Sequence, residues 1–186
     1  GSLLYTSVLP VGGEYITRDL AIVLRTSLEE AGRIKERNGV ASPDIARNDV
    51  IVNVKNVQGK EIRQVSQEVV AEIISARIME IVEMIYAELK QFACLDRIPG
   101  GIVVTGGEAE LTGLVKTIEE YTNIPTRLGI PENLRGIPVD FNRPQNAVIL
   151  GGLIYSSRYL NINCDNKRGI AALFDQLSRW FKELFR

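Results

Sequence analysis

Two strand-ending glycine pairs are the residues of this sequence best placed to do chemistry. Gly106-Gly107, followed by Glu108, closes the apolar run Gly101-Ile-Val-Val-Thr105, and Gly12-Gly13 closes the run from Leu3 to Val11. A glycine pair after a strand lets the backbone come close to a ligand. A helix starting just beyond it turns free N–H groups and a positive dipole end toward a phosphate or a ribose. Arg33-Ile-Lys35 lies between the two pairs on a charged stretch. Two glycine turns and a cationic helix converging on one crevice would hold a phosphorylated ligand. A plain tight turn at each pair is the competing reading.

Other chemistries are excluded by composition. The 186 residues contain no histidine, which removes the commonest general base and metal ligand. Two cysteines, Cys94 and Cys164, form no CxxC pair and read as ordinary thiols of a reducing compartment. No catalytic constellation and no metal site is expected. With 22 basic and 23 acidic residues the net charge is −1, so the chain has no electrostatic claim on nucleic acid. There is no signal peptide and no apolar run of membrane-spanning length.

The second concentration of function lies in the last fourteen residues. On a helical wheel Phe174, Leu177, Trp180, Phe181, Leu184 and Phe185, with Leu173, share one sector roughly 140° wide. Asp175, Gln176, Ser178, Arg179, Lys182, Glu183 and Arg186 fill the remainder. Aromatics and leucines opposite arginine and lysine are the composition of an interfacial helix. Half-burying each such side chain gains about 1 kcal/mol, enough for reversible membrane binding. Lys167 and Arg168, just upstream, add attraction to an anionic leaflet. The alternative is that this helix docks on its own domain; the polar linker before it argues for the membrane.

The elements that must position these residues follow from patterning. Residues 3–11 read as a strand, and Thr17 caps a helix to about Thr26. Ser27-Leu-Glu-Glu30 is a capping box opening a second, charged helix, stopped at Asn38-Gly39. Asp49 to Val65 gives a hairpin around Gln58-Gly59-Lys60. The longest helix runs from Ser66 to about Phe92, with Val70, Ile74, Ile78, Val82 and their neighbours at helical spacing. Gly101–Thr105 is a buried strand and Leu111 to Tyr121 a helix. Pro125 to Leu128 is a short strand, and Asn146 to Ser157 an apolar helix. Strands alternating with helices, plus one polar hairpin, predict an α/β domain with a small α+β satellite. The boundaries are 1–29 with 96–158 for the large part, 30–95 for the small, 159–169 for the linker and 170–186 for the tail helix.

At these residues the chain resembles the FtsA family of actin-like bacterial division proteins. Pro10-Val-Gly-Gly13, Ile16-Thr-x-Asp19-Leu-Ala21, Glu30-Ala-Gly-Arg-Ile-Lys35 and Gly101-Ile-Val-Val-Thr-Gly-Gly107 carry the resemblance. Leu128-Gly-Ile-Pro131, Asn142-Arg-Pro144, Ala147, Gly151-Gly-Leu153 and the amphipathic tail extend it. The resemblance implies the second half of an actin-like ATPase fold, its subdomains 2A and 2B. It implies ATP binding, with Mg in the complete protein, at Gly12, Gly13, Lys35, Gly106, Gly107 and Glu108. It also implies self-association into filaments and a place on the cytoplasmic face of the cell membrane. The FtsZ C-terminal peptide is expected on the small subdomain, at Arg63 and Arg77; solvated surface charge is the other reading of both arginines.

Two departures from the family pattern bear on nucleotide. Gly32 stands where family members carry a ribose-holding Glu, and Glu29, on the same helix face, is its expected substitute. The glycine-rich phosphate hairpins of such folds are not found in this sequence. The chain therefore reads as a scaffold fragment, not an enzyme, that does not retain ATP by itself. A pilus-assembly scaffold of the PilM kind and a fragment of an actin-superfamily ATPase or chaperone are the rival readings.

Overall fold

The computed structural model describes residues 3–92, 98–132 and 137–159. The linker from 160 onward, the tail helix with its apolar face, and both cysteines lie outside the described residues. The chain divides into two compact units, Gly1–Ala147 and Val148–Arg186. The described part of the second is one helix without its first residue, so the account below concerns the first.

The first helix, α1 (Gly13–Val23), is capped by Gly12 and so begins five residues earlier than the Thr17 cap predicts. Thr17 instead donates its hydroxyl back to the Gly13 carbonyl at 3.3 Å, within the helix. Glu14 in the first turn suits the positive dipole end and pairs with Arg18 one turn on, at 2.6 Å. The capping box at Ser27 is present: α2 (Leu28–Asn38) starts where the Ser27 hydroxyl accepts from the Glu30 N–H at 3.2 Å. The hairpin pairs β1 (Ile51–Lys55) antiparallel with β2 (Ile62–Ser66) in the register Ile51↔Ser66 and Val54↔Arg63.

Ser66 caps the longest helix, α3 (Gln67–Gln91), through the Val69 N–H. Its stripe Val70, Ile74, Ile78 and Val82, spaced one turn apart, is buried. Ile16, Leu20 and Leu24 of α1, Ala31 and Ile34 of α2, and Val52 and Val54 of β1 pack with it into one core. Beyond α3, β3 (Ile102–Val104) pairs in parallel with β4 (Thr126–Leu128), the crossover being α4 (Leu114–Thr122). Leu114 and Ile118 join that same core. The last described helix is α5 (Ala147–Tyr159).

Three expectations fail locally. Residues 3–11 form no strand and join no ladder among the described residues; Tyr5 stacks on Phe92 and donates to Glu88, while Leu3, Leu4 and Val8 stand 82%, 63% and 90% exposed. Apolar alternation favours a strand only where a neighbour supplies the ladder. The strand expected to be buried is three residues long, with Val103 half-exposed; among the described residues β4 alone flanks it. Thirdly, α4 starts at Leu114 rather than Leu111, and a short 3-10 turn, Gly107–Glu110, follows the glycine pair.

Candidate functional site

Lys35 is the side chain around which the site is built. It sits on the last turn of α2, its side chain only 13% exposed. Its ammonium donates to the Gly13 carbonyl at 3.0 Å and pairs with the Glu108 carboxylate. One lysine thus ties the start of α1 to the turn after β3, and brings Gly13, Lys35 and Glu108 into contact. Gly13 is required by that approach: a Cβ there would lie 2.0 Å from Glu108 Oε1. Gly106 adopts φ of +104°, a conformation that L side chains rarely take, and its N–H donates to the Pro144 carbonyl at 3.1 Å. Thr105 adds a hydroxyl bond to the Gly129 carbonyl at 2.9 Å. These bonds hold the glycine turn against the 129–144 loop.

Beside the pair opens a polar cavity of about 640 Å³, lined among others by Lys35, Gly107, Glu108, Glu110, Arg143 and Gln145. Ligand clefts commonly measure about 300–1,000 Å³, so this one has room for a nucleoside. A Cβ on Gly107 would meet nothing within 4 Å, so the backbone there faces open space. Behind it, Gly12, Gly13, Gly106, Gly107 and Glu108 also border an apolar cavity of about 320 Å³, walled by Ile16, Ile78, Val82, Ile85, Leu114 and Ile118. All six residues expected at the nucleotide site therefore border one of these two adjoining cavities.

Several details differ from the expectation. The element after Gly106 is a 3-10 turn rather than a helix, so no long dipole points at the cleft from that side. Gly12 is extended at φ −177°, with open space around its missing side chain, and serves as the N-cap of α1. Arg33 does not join Lys35; it pairs with Glu30 at 3.1 Å and Glu29 at 3.5 Å. Glu29 is 83% exposed and, like Gly32, outside the lining of either cavity. Conversely, Arg143 and Glu110 escaped sequence reasoning. The Arg143 guanidinium grips the Glu110 carboxylate through Nε and Nη2 at 3.1–3.3 Å, forming one wall of the polar cavity. The available signal was Arg143 preceding Pro144 in a loop that returns to the glycine turn.

Arg63 and Arg77 both bond within the domain. Arg63 stands opposite Val54, and its Nη2 donates to the Leu24 carbonyl at the end of α1. Arg77 forks onto Asp19 of α1, Nε to Oδ2 at 2.6 Å and Nη2 to Oδ1 at 2.9 Å. Its third nitrogen reaches Glu80 at 2.6 Å. The hydrogen bond that Arg77 donates to Asp19 raises its pKa above the ordinary value. Each guanidinium keeps N–H groups beyond these bonds. Among the described residues there is no cluster of three or more potential metal ligands, and no helix long and apolar enough to cross a membrane.

The family model and the curated relatives name one family, and the solved structures show the fold. The family model described as "Cell division protein FtsA" matches residues 1–151. Cell division protein FtsA of Neisseria meningitidis is 34% identical over 194 residues, covering 100% of this chain and 47% of that protein. The Bacillus subtilis protein of the same name is 39% identical over 131 residues, covering 70% of this chain and 30% of its own. The Escherichia coli K12 protein is 29% identical, covering 99% and 45%. The chain thus spans less than half the length of these relatives. Among solved structures, MreB5 of Spiroplasma citri bound to ADP superposes with a TM-score of 0.62 at 17% identity, over 85% of this chain and 47% of that one. The same protein bound to AMPPNP gives 0.62 over 82% and 46%. That likeness shows the fold alone, an α/β arrangement of the actin-like kind. With the family model covering most of its length, the chain belongs to the FtsA family of cell division proteins.

Proposed function

We propose that this chain is the membrane-tethering part of a division-ring scaffold. In this reading residues 1–29 with 96–158 are the large subdomain and 30–95 the small one, which takes the FtsZ C-terminal peptide at Arg63 and Arg77. The complete protein binds ATP with Mg, and polymerises; the residues here that would hold the nucleoside are Lys35 and the Gly106-Gly107 turn. ADP and AMPPNP in the MreB5 structures support a nucleotide for this fold, and the dimensions of the polar cavity accommodate one. The chain carries no role in catalysis. The observation that carries the reading is family membership joined to a tail whose aromatic and leucine positions share one helical face.

The tail is the part most directly tested. Trp180 and Phe181 both lie within the apolar sector, so replacing both by Glu puts two charges on the face expected at the acyl boundary. The wild-type chain should co-sediment with anionic liposomes and the double variant should not, while both melt at the same temperature. A wild type that stays in the supernatant, with a variant that melts several degrees early, would mean that the tail docks on its own domain.

A further inference from the structure

The Lys35–Glu108 pair does more than tie two elements together. Among the described residues that line the polar cavity, Lys35 is the only lysine and with Arg143 one of two cations; Glu36, Glu108 and Glu110 supply three carboxylates. Arg143 is held by Glu110. Lys35 is held by Glu108 and by the Gly13 carbonyl. Both cations that an anionic ligand could use are therefore occupied from within the chain, and the lining carries one more negative than positive charge. The Glu108 carboxylate also lies against Gly13, so close that a Cβ at Gly13 would overlap its Cγ, Cδ and Oε1. That position is the N-terminus of α1, where backbone N–H groups and the dipole favour an anion. Glu108 thus stands where an anionic ligand would be bound best.

We propose that the Lys35–Glu108 ion pair is a latch across this cleft, an internal anion that a nucleotide must displace before it can reach Lys35 and the start of α1. The inference rests on reading the cleft as a nucleotide site. Glu108 is 34% exposed and sits in a short turn, so its side chain can swing toward solvent without unpacking the core. Lys35, at 13%, stays in place. The latch thereby sets affinity through the charge and seat of Glu108, not through the shape of the cavity. ATP, being anionic, feels both the lost cation and the carboxylate's repulsion, whereas adenosine feels only the occupied lysine.

The experiment uses the 186-residue chain, Glu108→Ala, and Glu108→Ala combined with Lys35→Met, titrated with ATP and separately with adenosine. Amide chemical shifts reach the millimolar range that weak binding needs. Glu108→Ala should bind ATP about tenfold tighter than the wild type, since one charge-assisted bond no longer has to be broken. Adenosine should gain less, and Lys35→Met should cancel the gain. Binding by the wild type that is unchanged or weakened in Glu108→Ala overturns the latch and leaves the nucleotide site standing. No binding of either ligand by any variant overturns the latch, and the same absence in the complete protein overturns the nucleotide site as well. A readout free of ligand is the acylation rate of the Lys35 amine, followed by mass spectrometry. It should rise in Glu108→Ala; an equal rate in the wild type would show that no latch is closed.

Discussion

Gly32 offers a perturbation whose size can be worked out in advance. It is the fifth of eleven residues in α2, a helix interior where glycine costs about 1 kcal/mol relative to alanine. Nothing in the packing demands it: a Cβ would meet only Thr17 Cγ2, at 3.9 Å, an ordinary van der Waals contact with α1. Its φ is not in the left-handed region. Gly32→Ala should therefore recover about 1 kcal/mol, which raises the melting temperature by roughly 2–4 °C in a chain of this length. Gly32→Glu should recover less. The new carboxylate would have Glu29 three residues before it and Glu36 four after it, each like-charge pair costing about 0.2–0.5 kcal/mol. Lys35, three residues on, is already engaged by Glu108 and offers little in return. Thermal melts followed by circular dichroism should place alanine highest, with glutamate and the wild type both below it. A melting temperature unchanged in Gly32→Ala, or higher in Gly32→Glu than in Gly32→Ala, would refute the reasoning. It would mean that position 32 is shaped by contact with α1 and not by helix propensity.

Two further outcomes follow from side chains near α1 and α4. Replacing Arg63 and, separately, Arg77 by Glu should weaken binding of the FtsZ C-terminal peptide at least fivefold in calorimetry; equal affinity in both variants would leave them with internal bonds alone. The Tyr121 hydroxyl is raised above the usual tyrosine range, first by burial and then by the neighbouring Glu83. A folded pKa above the unfolded value, near 10, gives stability that is present below that pH and lost as pH rises through the folded value. Near-ultraviolet titration should therefore show one of the six tyrosines ionising late, and Tyr121→Phe should remove that component. Superposable titrations would contradict it.

What the sequence made legible was whatever depends on neighbours a few residues away. The Ser27 and Ser66 caps, the Gly59 turn and the α3 stripe are local, and the structure contains them. Residues 3–11 fail because a strand is defined by a partner that no local pattern supplies. The onset of α1 fails for a different reason: Gly12-Gly13 looks like a stop, yet Gly13 is accepted into the first turn because Glu108 occupies the space of its side chain. That contact joins residues 95 positions apart, and neither residue type announces it. The site was legible in the same uneven way. Glycine pairs and Lys35 stand out by type, whereas the Arg143–Glu110 fork depends on a loop whose return path only the fold decides.

The three cations singled out for ligands turn out to converge on one helix. Lys35 reaches the Gly13 carbonyl at the start of α1, Arg77 holds Asp19 at its middle, and Arg63 donates to Leu24 at its end. They arrive from α2, α3 and β2, so α1 is fastened to each of its neighbours by one charge. The helix dipole explains why the two ends are treated differently. A guanidinium suits the negative C-terminal end, and Arg63 is bound there directly. A lone ammonium at the positive N-terminal end would be opposed by the dipole, and Lys35 does not arrive alone: Glu108 comes with it and brings the favoured sign to Gly13. The carboxylate thus balances the Lys35 ammonium wherever no other anion is present. An incoming anion can replace Glu108 at this one position without leaving the helix start unbalanced. Arg77 differs in this respect, since displacing Asp19 would strip a charge from the middle of α1 and leave nothing in its place. Geometry therefore separates the two families of contact: the exchangeable carboxylate lies at the cleft, and the fixed one lies on the seam between α1 and α3.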